Sequence, residues 1–265
     1  CFTVAGGEVM SGRLFGIGGG PGDPELLTLK AVRLIAEADV IAYPAPADGT
    51  ESMARMIAGP HIPEGKTEIV IETPMIPGRF PANDVYDRYA VEIAAHLHAG
   101  RSVAVLCEGD PFLYGSFMYL FGRLSGDFES EVVPGVSSLG ACAARAGQPL
   151  VSRNQVLTIV PAPLDEADLE ARIAIADAVA IMKVGRHLEK VRAVLKKLGR
   201  LETAVYVERA TLAGEQVMPL TDLKAERAPY FSMILARRAE AVDLWARNNP
   251  PMSSSTGTAK PSRAG

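Results

Sequence analysis

The chain has 265 residues, 48% hydrophobic, 22% charged and 6% aromatic, with 27 basic against 31 acidic side chains and a formal net charge of −4. At ~150 residues per domain this allows one large domain or two modest ones, enough to bury a core without disulfides or metals. The charge balance argues against a nucleic-acid partner, and no apolar run reaches the ~18 to 20 residues of a membrane span. The three cysteines, Cys1, Cys107 and Cys142, are too far apart for a CxxC pair and suit a reducing cytoplasm.

Residues 1–11 read as an upstream remnant or tag outside the fold, because Met10 runs at once into a strand, RLFGIG (13–18). A turn, GGPGDP, follows. From Pro24 the apolar period becomes 3.6, which predicts a helix with Asp23 as N-cap, Pro24 at its first position and Glu25 near the positive end of its dipole. A second strand, 39–43, is expected to stop at Pro44. This β-turn-α-β unit is the building block of a parallel sheet.

The pattern recurs along the chain. Strands are expected at 68–72 and 102–107, with an amphipathic helix at 84–99. The second of these strands is apolar enough to be buried on both faces. A turn, EGDPFLYGS, leads to the helical FMYLFGRL; SEVVPGVSS (130–138) is strand then turn, and the small-residue helix LGACAARAG follows. Beyond residue 150, strands are expected at 155–160, 178–182, 203–207 and 230–235, with helices at 165–175 and 187–198. The expected organisation is an α/β fold of two α/β domains, 12–130 and 131–245. The Pro/Ser/Thr/Gly-rich tail, 246–265, is expected to be disordered.

Three Gly/Pro turns each follow a strand: GIGGGPGDP (16–24), EGDPFLYG (108–115) and VPGVSS (133–138). In parallel α/β sheets ligands sit outside the C-terminal ends of the strands, so three such loops on one edge would line a cleft with exposed backbone groups. The dinucleotide pattern GxGxxG fails here, its third glycine falling on Pro21 or Asp23, and no GK[ST] follows for a P-loop. Asp23, Glu108 and Asp110 would oppose a pyrophosphate and suit a neutral or cationic ligand.

GIGGGPGDPELLTLKA, EGDPFLYGS and VVPGVSS, in this order and spacing, resemble the signature turns of the tetrapyrrole (corrin/porphyrin) methylases, and the resemblance spans most of 12–240. It implies two α/β domains with S-adenosylmethionine in the cleft between them, a cytoplasmic homodimer, and a small-molecule tetrapyrrole as substrate. LTLKAVRLIAEADVIAYP, IMKVGRHLEKV and APYFSMILARR most resemble members that methylate precorrin-2 at its C(20) meso carbon. Another corrinoid substrate, such as the cobalt-containing form, is the alternative. Carried over by position, cofactor contacts would fall on Pro21, Gly109, Asp110, Leu113, Ser137, Ser138, Met182, Lys183, Ala210, Ser232 and Met233. Relatives often carry Gly in an ENGT-like run where this chain has ERAT around Ala210. Methylases acting on uroporphyrinogen carry Asp after the tyrosine of the second strand. Here Pro44 holds that place, so uroporphyrinogen is not the expected substrate.

Methyl transfer from a sulfonium to an electron-rich carbon needs alignment and exclusion of water, not a metal or a covalent nucleophile. The chain has no HExxH, no GxSxG and only scattered histidines. The carboxylates of the substrate need basic partners, for which Arg79 and Lys183 are the first candidates and Arg88, Arg153, Arg186 and Arg209 the others. Tyr114, with Phe112, is a candidate wall of the substrate cavity. No residue stands out as a general base. A dinucleotide-dependent oxidoreductase with a non-standard turn is the competing reading from another enzyme class.

Overall fold

The computed structural model describes residues 11–73 and 83–238. The remnant expected at 1–11 therefore lies outside the described residues for all but its last position, as do the tail at 246–265, Arg79 and the end of the second expected domain.

The described residues form two compact units. The first takes in the chain to Pro149 together with Val207–Val217 and Phe231–Met233; the second takes in Leu150–Tyr206, Met218–Tyr230 and the chain from Ile234. The strand Ser130–Val133 and the helix Ser138–Arg145 fall in the first unit, whereas the sequence reading opens its second domain at residue 131.

The first unit is a five-stranded sheet, β1 (Leu14–Gly18), β2 (Val40–Pro46), β3 (Thr67–Thr73), β4 (Val103–Cys107) and β5 (Ser130–Val133), in the order β3-β2-β4-β1-β5. The ladders joining β1 to β4 and β5, and β2 to β3 and β4, are parallel. Alternation along each strand divides the core in two. Leu14, Val40, Val103, Val105 and Cys107 face one side, where α3 (Asn83–His98) and α4 (Phe117–Leu124) pack through Tyr86, Ile93, Leu97, Phe117 and Leu120. Phe15, Ile17, Ile41, Ala104 and Leu106 face the other, against α1 (Leu29–Glu37) and α2 (Met53–Ala58). Because β1 and β4 are buried on both faces they read as continuous apolar runs.

Two expectations need correction. The helix predicted from Pro24 is two elements. Asp23 caps a single 3-10 turn, Pro24–Leu26, by accepting the Glu25 N–H, and the α-helix starts five residues later, where the Thr28 hydroxyl accepts the Ala31 N–H. Leu29, an apolar residue of that periodic run, is 90% exposed. Strand β2 does not stop at Pro44. Its ladder to β3 runs on to Pro46, whereas its ladder to β4 ends at Ala42, so Pro44 sits where β2 has become an edge on that side and a missing N–H is tolerated.

The second unit holds most of the sheet β6 (Leu157–Pro161), β7 (Ala178–Met182), β8 (Val205–Glu208), β9 (Gln216–Pro219) and β10 (Ser232–Arg237), in the order β6-β7-β10-β8-β9, with the end of β8, the start of β10, the first half of β9 and the segment between β8 and β9 grouped with the first unit. Helices α6 (Glu166–Ile175) and α7 (Leu188–Lys197) supply Leu169, Ile173, Leu188, Val191, Val194 and Leu195 to its core. The carbonyls of Ala174, Ile175 and Ala176, orphaned where α6 ends, are taken up by the guanidinium groups of Arg200 and Arg238.

Gly16 is where the first core is tightest, since a Cβ there would lie 2.2 Å from the Phe117 ring. Gly16→Ala is expected to destabilise the protein by about 1–3 kcal/mol, the usual cost of overpacking. In thermal unfolding, combining it with Phe117→Leu should cost less than the sum of the two single changes.

Candidate functional site

Strand order brings the C-terminal ends of β4, β1 and β5 side by side, and the three Gly/Pro turns leave from these ends. Gly19 donates its N–H to the Cys107 carbonyl (2.7 Å), and Gly20 and Gly109 exchange both backbone hydrogen bonds (2.7 and 3.2 Å), an isolated antiparallel bridge between the first and second turns. The second and third turns are joined by Asp110. One carboxylate oxygen accepts the Phe112 N–H (2.9 Å) and the other the Gly135 N–H (3.1 Å). A Cβ on Gly135 would lie 2.0 Å from the Gly109 carbonyl oxygen, and one on Gly18 would lie 2.4 Å from the Gly135 nitrogen. Glycine at both positions lets three backbones touch.

Several of the expected cofactor residues of the first unit lie on these turns or on segments bonded to them. Pro21 and Leu113 are half-buried within the first and second turns. Ser137 caps α5 (Ser138–Arg145) by accepting the Leu139 N–H, and Ser138 is its first residue. Ala210 is buried on a segment that meets the first turn, where Asp23 donates its N–H to Thr211 Oγ1 (3.1 Å) and a Cβ on Gly22 would lie 2.5 Å from Leu212 Cγ. Ser232 and Met233 are buried at the start of β10. Gly109 has φ +64°, and a Cβ there would meet nothing within 4 Å. The side of this glycine turned away from the other two backbones is open space. The Asp110 carboxylate is occupied holding turns together, so its part is to fix the loop.

Met182 and Lys183 belong to the second unit. Met182 ends β7, and its carbonyl accepts the Ala162 N–H (2.8 Å). Lys183 follows at φ +56°, half-buried, with its ammonium pKa lowered by burial. Positive φ outside glycine is costly. Among the described residues it occurs at Tyr114, Arg153, Lys183, Arg209 and Thr211, and all but Arg153 sit in turns that follow β4, β7 or β8.

Of the candidate substrate residues, Tyr114 and Phe112 are exposed, at 41% and 50%. The Phe112 ring is backed by Phe121 (5.2 Å between centroids, edge-on) and Phe117 (6.3 Å, stacked), which hold this aromatic rigid in the open. Arg153, Arg186 and Arg209 are exposed, and the Arg88 guanidinium lies 4.6 Å from the centre of the Tyr89 ring. No group of three or more metal-ligating side chains occurs among the described residues.

Two groups in the site carry information that residue types did not. Burial, followed by the neighbouring Glu108, pushes the Cys107 thiol up to about 12, which leaves it unreactive. Burial also raises the pKa of Glu108, opposed by backbone hydrogen bonds from its own amide and that of Ala54 at the start of α2. A carboxyl with a raised folded pKa binds its proton more tightly folded than unfolded, so it lowers stability as pH rises from the unfolded pKa through the folded one. Glu108→Gln is therefore expected to raise the melting temperature at pH 8 and to leave it unchanged near pH 3.5, as read by thermal unfolding at the two pH values.

Residues 13–224 match the family described as Tetrapyrrole (Corrin/Porphyrin) Methylases. The chain is 44% identical over 232 residues to a precorrin-2 C(20)-methyltransferase of Sinorhizobium sp, covering 84% of this chain and 94% of that one. It is 32% identical over 231 residues to the cobalt-precorrin-2 C(20)-methyltransferase of Salmonella typhimurium, covering 86% and 98%. A crystal structure of uroporphyrin-III C-methyltransferase from Thermus thermophilus complexed with S-adenyl homocysteine superposes with a TM-score of 0.62 at 26% identity, covering 88% of this chain and 100% of that one. With its signature turns interlocked at one sheet edge and the match running through both units, the chain belongs to the tetrapyrrole methylases.

Proposed function

We propose that this protein transfers a methyl group from S-adenosylmethionine to the C(20) meso carbon of precorrin-2, giving precorrin-3A in cobalamin biosynthesis. The observation that carries the cofactor reading is the open face of Gly109 beside a junction of backbone groups drawn from three turns. A Cβ would fill that space, and none of the described residues does. Identity of 44% along nearly the whole Sinorhizobium relative favours the metal-free substrate over the cobalt-containing one, whose Salmonella methylase is 32% identical. In this reading the enzyme is a cytoplasmic homodimer that handles small molecules and needs neither nucleic acid nor membrane.

In the first unit Pro21, Gly109, Leu113, Ser137, Ser138, Ala210, Ser232 and Met233 would hold the cofactor, and Asp110 would hold the loop that carries Gly109. When bound, S-adenosylmethionine supplies a methyl group on a positively charged sulfur, already a good leaving group. What remains for the chain is alignment and dryness. The interlocked turns fix the backbone contacts before any ligand arrives. Phe112 and Tyr114 present apolar surface suited to a flat macrocycle, and Phe117 and Phe121 keep Phe112 from folding away.

Incubation with precorrin-2 and a methyl-labelled donor should place the label on the C(20) meso carbon by NMR; a label on a pyrrole β-carbon would overturn the assignment. Gly109→Val should weaken S-adenosylhomocysteine binding at least about tenfold in titration calorimetry, about 1.4 kcal/mol. Gly65→Val is the control, because Gly65 has the same kind of backbone (φ +79°) with open space around it but precedes β3, away from the turns. It should leave the affinity unchanged.

A further inference from the structure

Thr211, Glu215 and Arg145 form a continuous polar chain that the chemistry above does not use. The Glu215 carboxylate receives Arg145 through Nε (2.7 and 2.8 Å) and Nη2 (2.6 Å), and one of the same oxygens accepts the Thr211 N–H (2.7 Å). Thr211 Oγ1 accepts the Asp23 N–H (3.1 Å). Arg145 closes α5, whose first turn carries Ser137 and Ser138, while Asp23 ends the first Gly/Pro turn, which carries Pro21. One carboxylate and one hydroxyl therefore tie together three separate stretches of the site.

The tie sits where the backbone needs one. Ala210 lies between Arg209 and Thr211, both left-handed at φ +50° and +69°, a conformation that side chains with a Cβ adopt only at a cost. The turn cannot hold this shape by its own preference. Its base is pinned by the Arg209 N–H on the Phe231 carbonyl (2.8 Å) and the Leu212 N–H on the Arg209 carbonyl (2.9 Å). Its apex is pinned by Glu215 and by contact with Gly22. The Arg145 side chain is 53% exposed and that of Glu215 16%, so the pair is too wet to contribute much to global stability. Its geometry is nevertheless multidentate and charge-assisted. The guanidinium and the Thr211 amide also hold the Glu215 carboxyl below the usual carboxylate range, so the tie is charged at neutral pH.

We propose that Arg145, Glu215 and Thr211 are positioning residues, a clasp that keeps the Ala210 turn in its strained shape against the first Gly/Pro turn and thereby sets affinity for the adenosyl ligand. This rests on the reading of Ala210 as a cofactor contact. The test is titration calorimetry with S-adenosylhomocysteine on the full chain. Thr211→Val keeps the branched side chain and loses the acceptor for Asp23; it should weaken binding about fivefold, and Thr211→Ser should return it to within about twofold of the parent. Arg145→Met and Glu215→Leu should each weaken binding similarly, and the double change no more than either alone. The Michaelis constant for the methyl donor should rise while kcat at saturation holds, with the melting temperature nearly unchanged.

Parent-like affinity in folded Thr211→Val and Arg145→Met variants would overturn the clasp. Amide hydrogen exchange of the free protein judges it independently of the cofactor. The Thr211 and Leu212 amides should exchange about fivefold faster in Arg145→Met, and unchanged exchange would overturn the clasp even if a variant binds poorly. A parent protein that does not bind S-adenosylhomocysteine would instead overturn the functional reading, and the exchange result would still decide the clasp.

Discussion

The site is built on the approach of three backbones, those of Gly18, Gly109 and Gly135, to distances that leave no room for a side chain at Gly18 or Gly135. A single Cβ at Gly18 or Gly135 would separate turns that now share hydrogen bonds, break the Gly20–Gly109 bridge and strip the Asp110 carboxylate of its Gly135 partner. Glycine is conformationally expensive in the unfolded-to-folded balance, so a cluster of glycines is stable only where other interactions offset that cost. Here the offset comes from the bridge, from the Asx-type turn of Asp110 on Phe112 and from the sheet beneath. The result is a rigid edge of peptide groups with one outward direction left free, at Gly109.

That edge exists because of how the first sheet is wound. Right-handed crossovers between parallel strands put helices on opposite faces when the chain turns in opposite directions along the sheet. The connection from β1 leads past β4 to β2 and carries α1 on the face of Phe15 and Ile17; the connection from β4 leads past β1 to β5 and carries α4 on the face of Leu14 and Val105. Beyond the Gly20–Gly109 bridge the connections after β1 and β4 therefore go to opposite faces, the arrangement at which open α/β sheets leave a crevice for a ligand. Packing and function meet at Phe117, which fills the space beside Gly16 and also backs the exposed Phe112.

Much of this could be read from the sequence because it is local. The helix FMYLFGRL lies at the expected residues, the helix expected at 84–99 and the strand expected at 178–182 agree within a residue, and β1 and β4 follow from their unbroken apolar runs. The start of α1 misled because two good N-caps, Asp23 and Thr28, lie five residues apart, and apolar periodicity runs through both without saying that Leu29 faces solvent. Pro44 misled because whether proline ends a strand depends on which side the partner lies, a tertiary fact. The strand β9 was missed because QVMP is short and mostly exposed. In the site, the turns could be found by their glycines, whereas the roles of Glu108, Thr211 and Glu215 depend on burial and on partners distant in sequence. Nothing in the run ERATLAGEQ announces that its threonine hydroxyl meets an amide 188 residues away.

The position of Pro44 bears on the chemistry as well as on the strand. The resemblance places an aspartate there in methylases that act on uroporphyrinogen; here the residue carries no side-chain acid, and its carbonyl accepts the Ser52 hydroxyl that caps α2 (2.5 Å). Glu108, which follows β4, accepts the Ala54 amide, and burial raises its pKa. With proline at this position, the strand supplies no side-chain base there to draw a proton from a reluctant carbon before transfer. That suits a nucleophile that is already electron-rich, for which the barrier is one of alignment. Under the proposed reading an enamine-like meso carbon would meet that description, and its methylation would ask of the chain alignment more than acid–base chemistry.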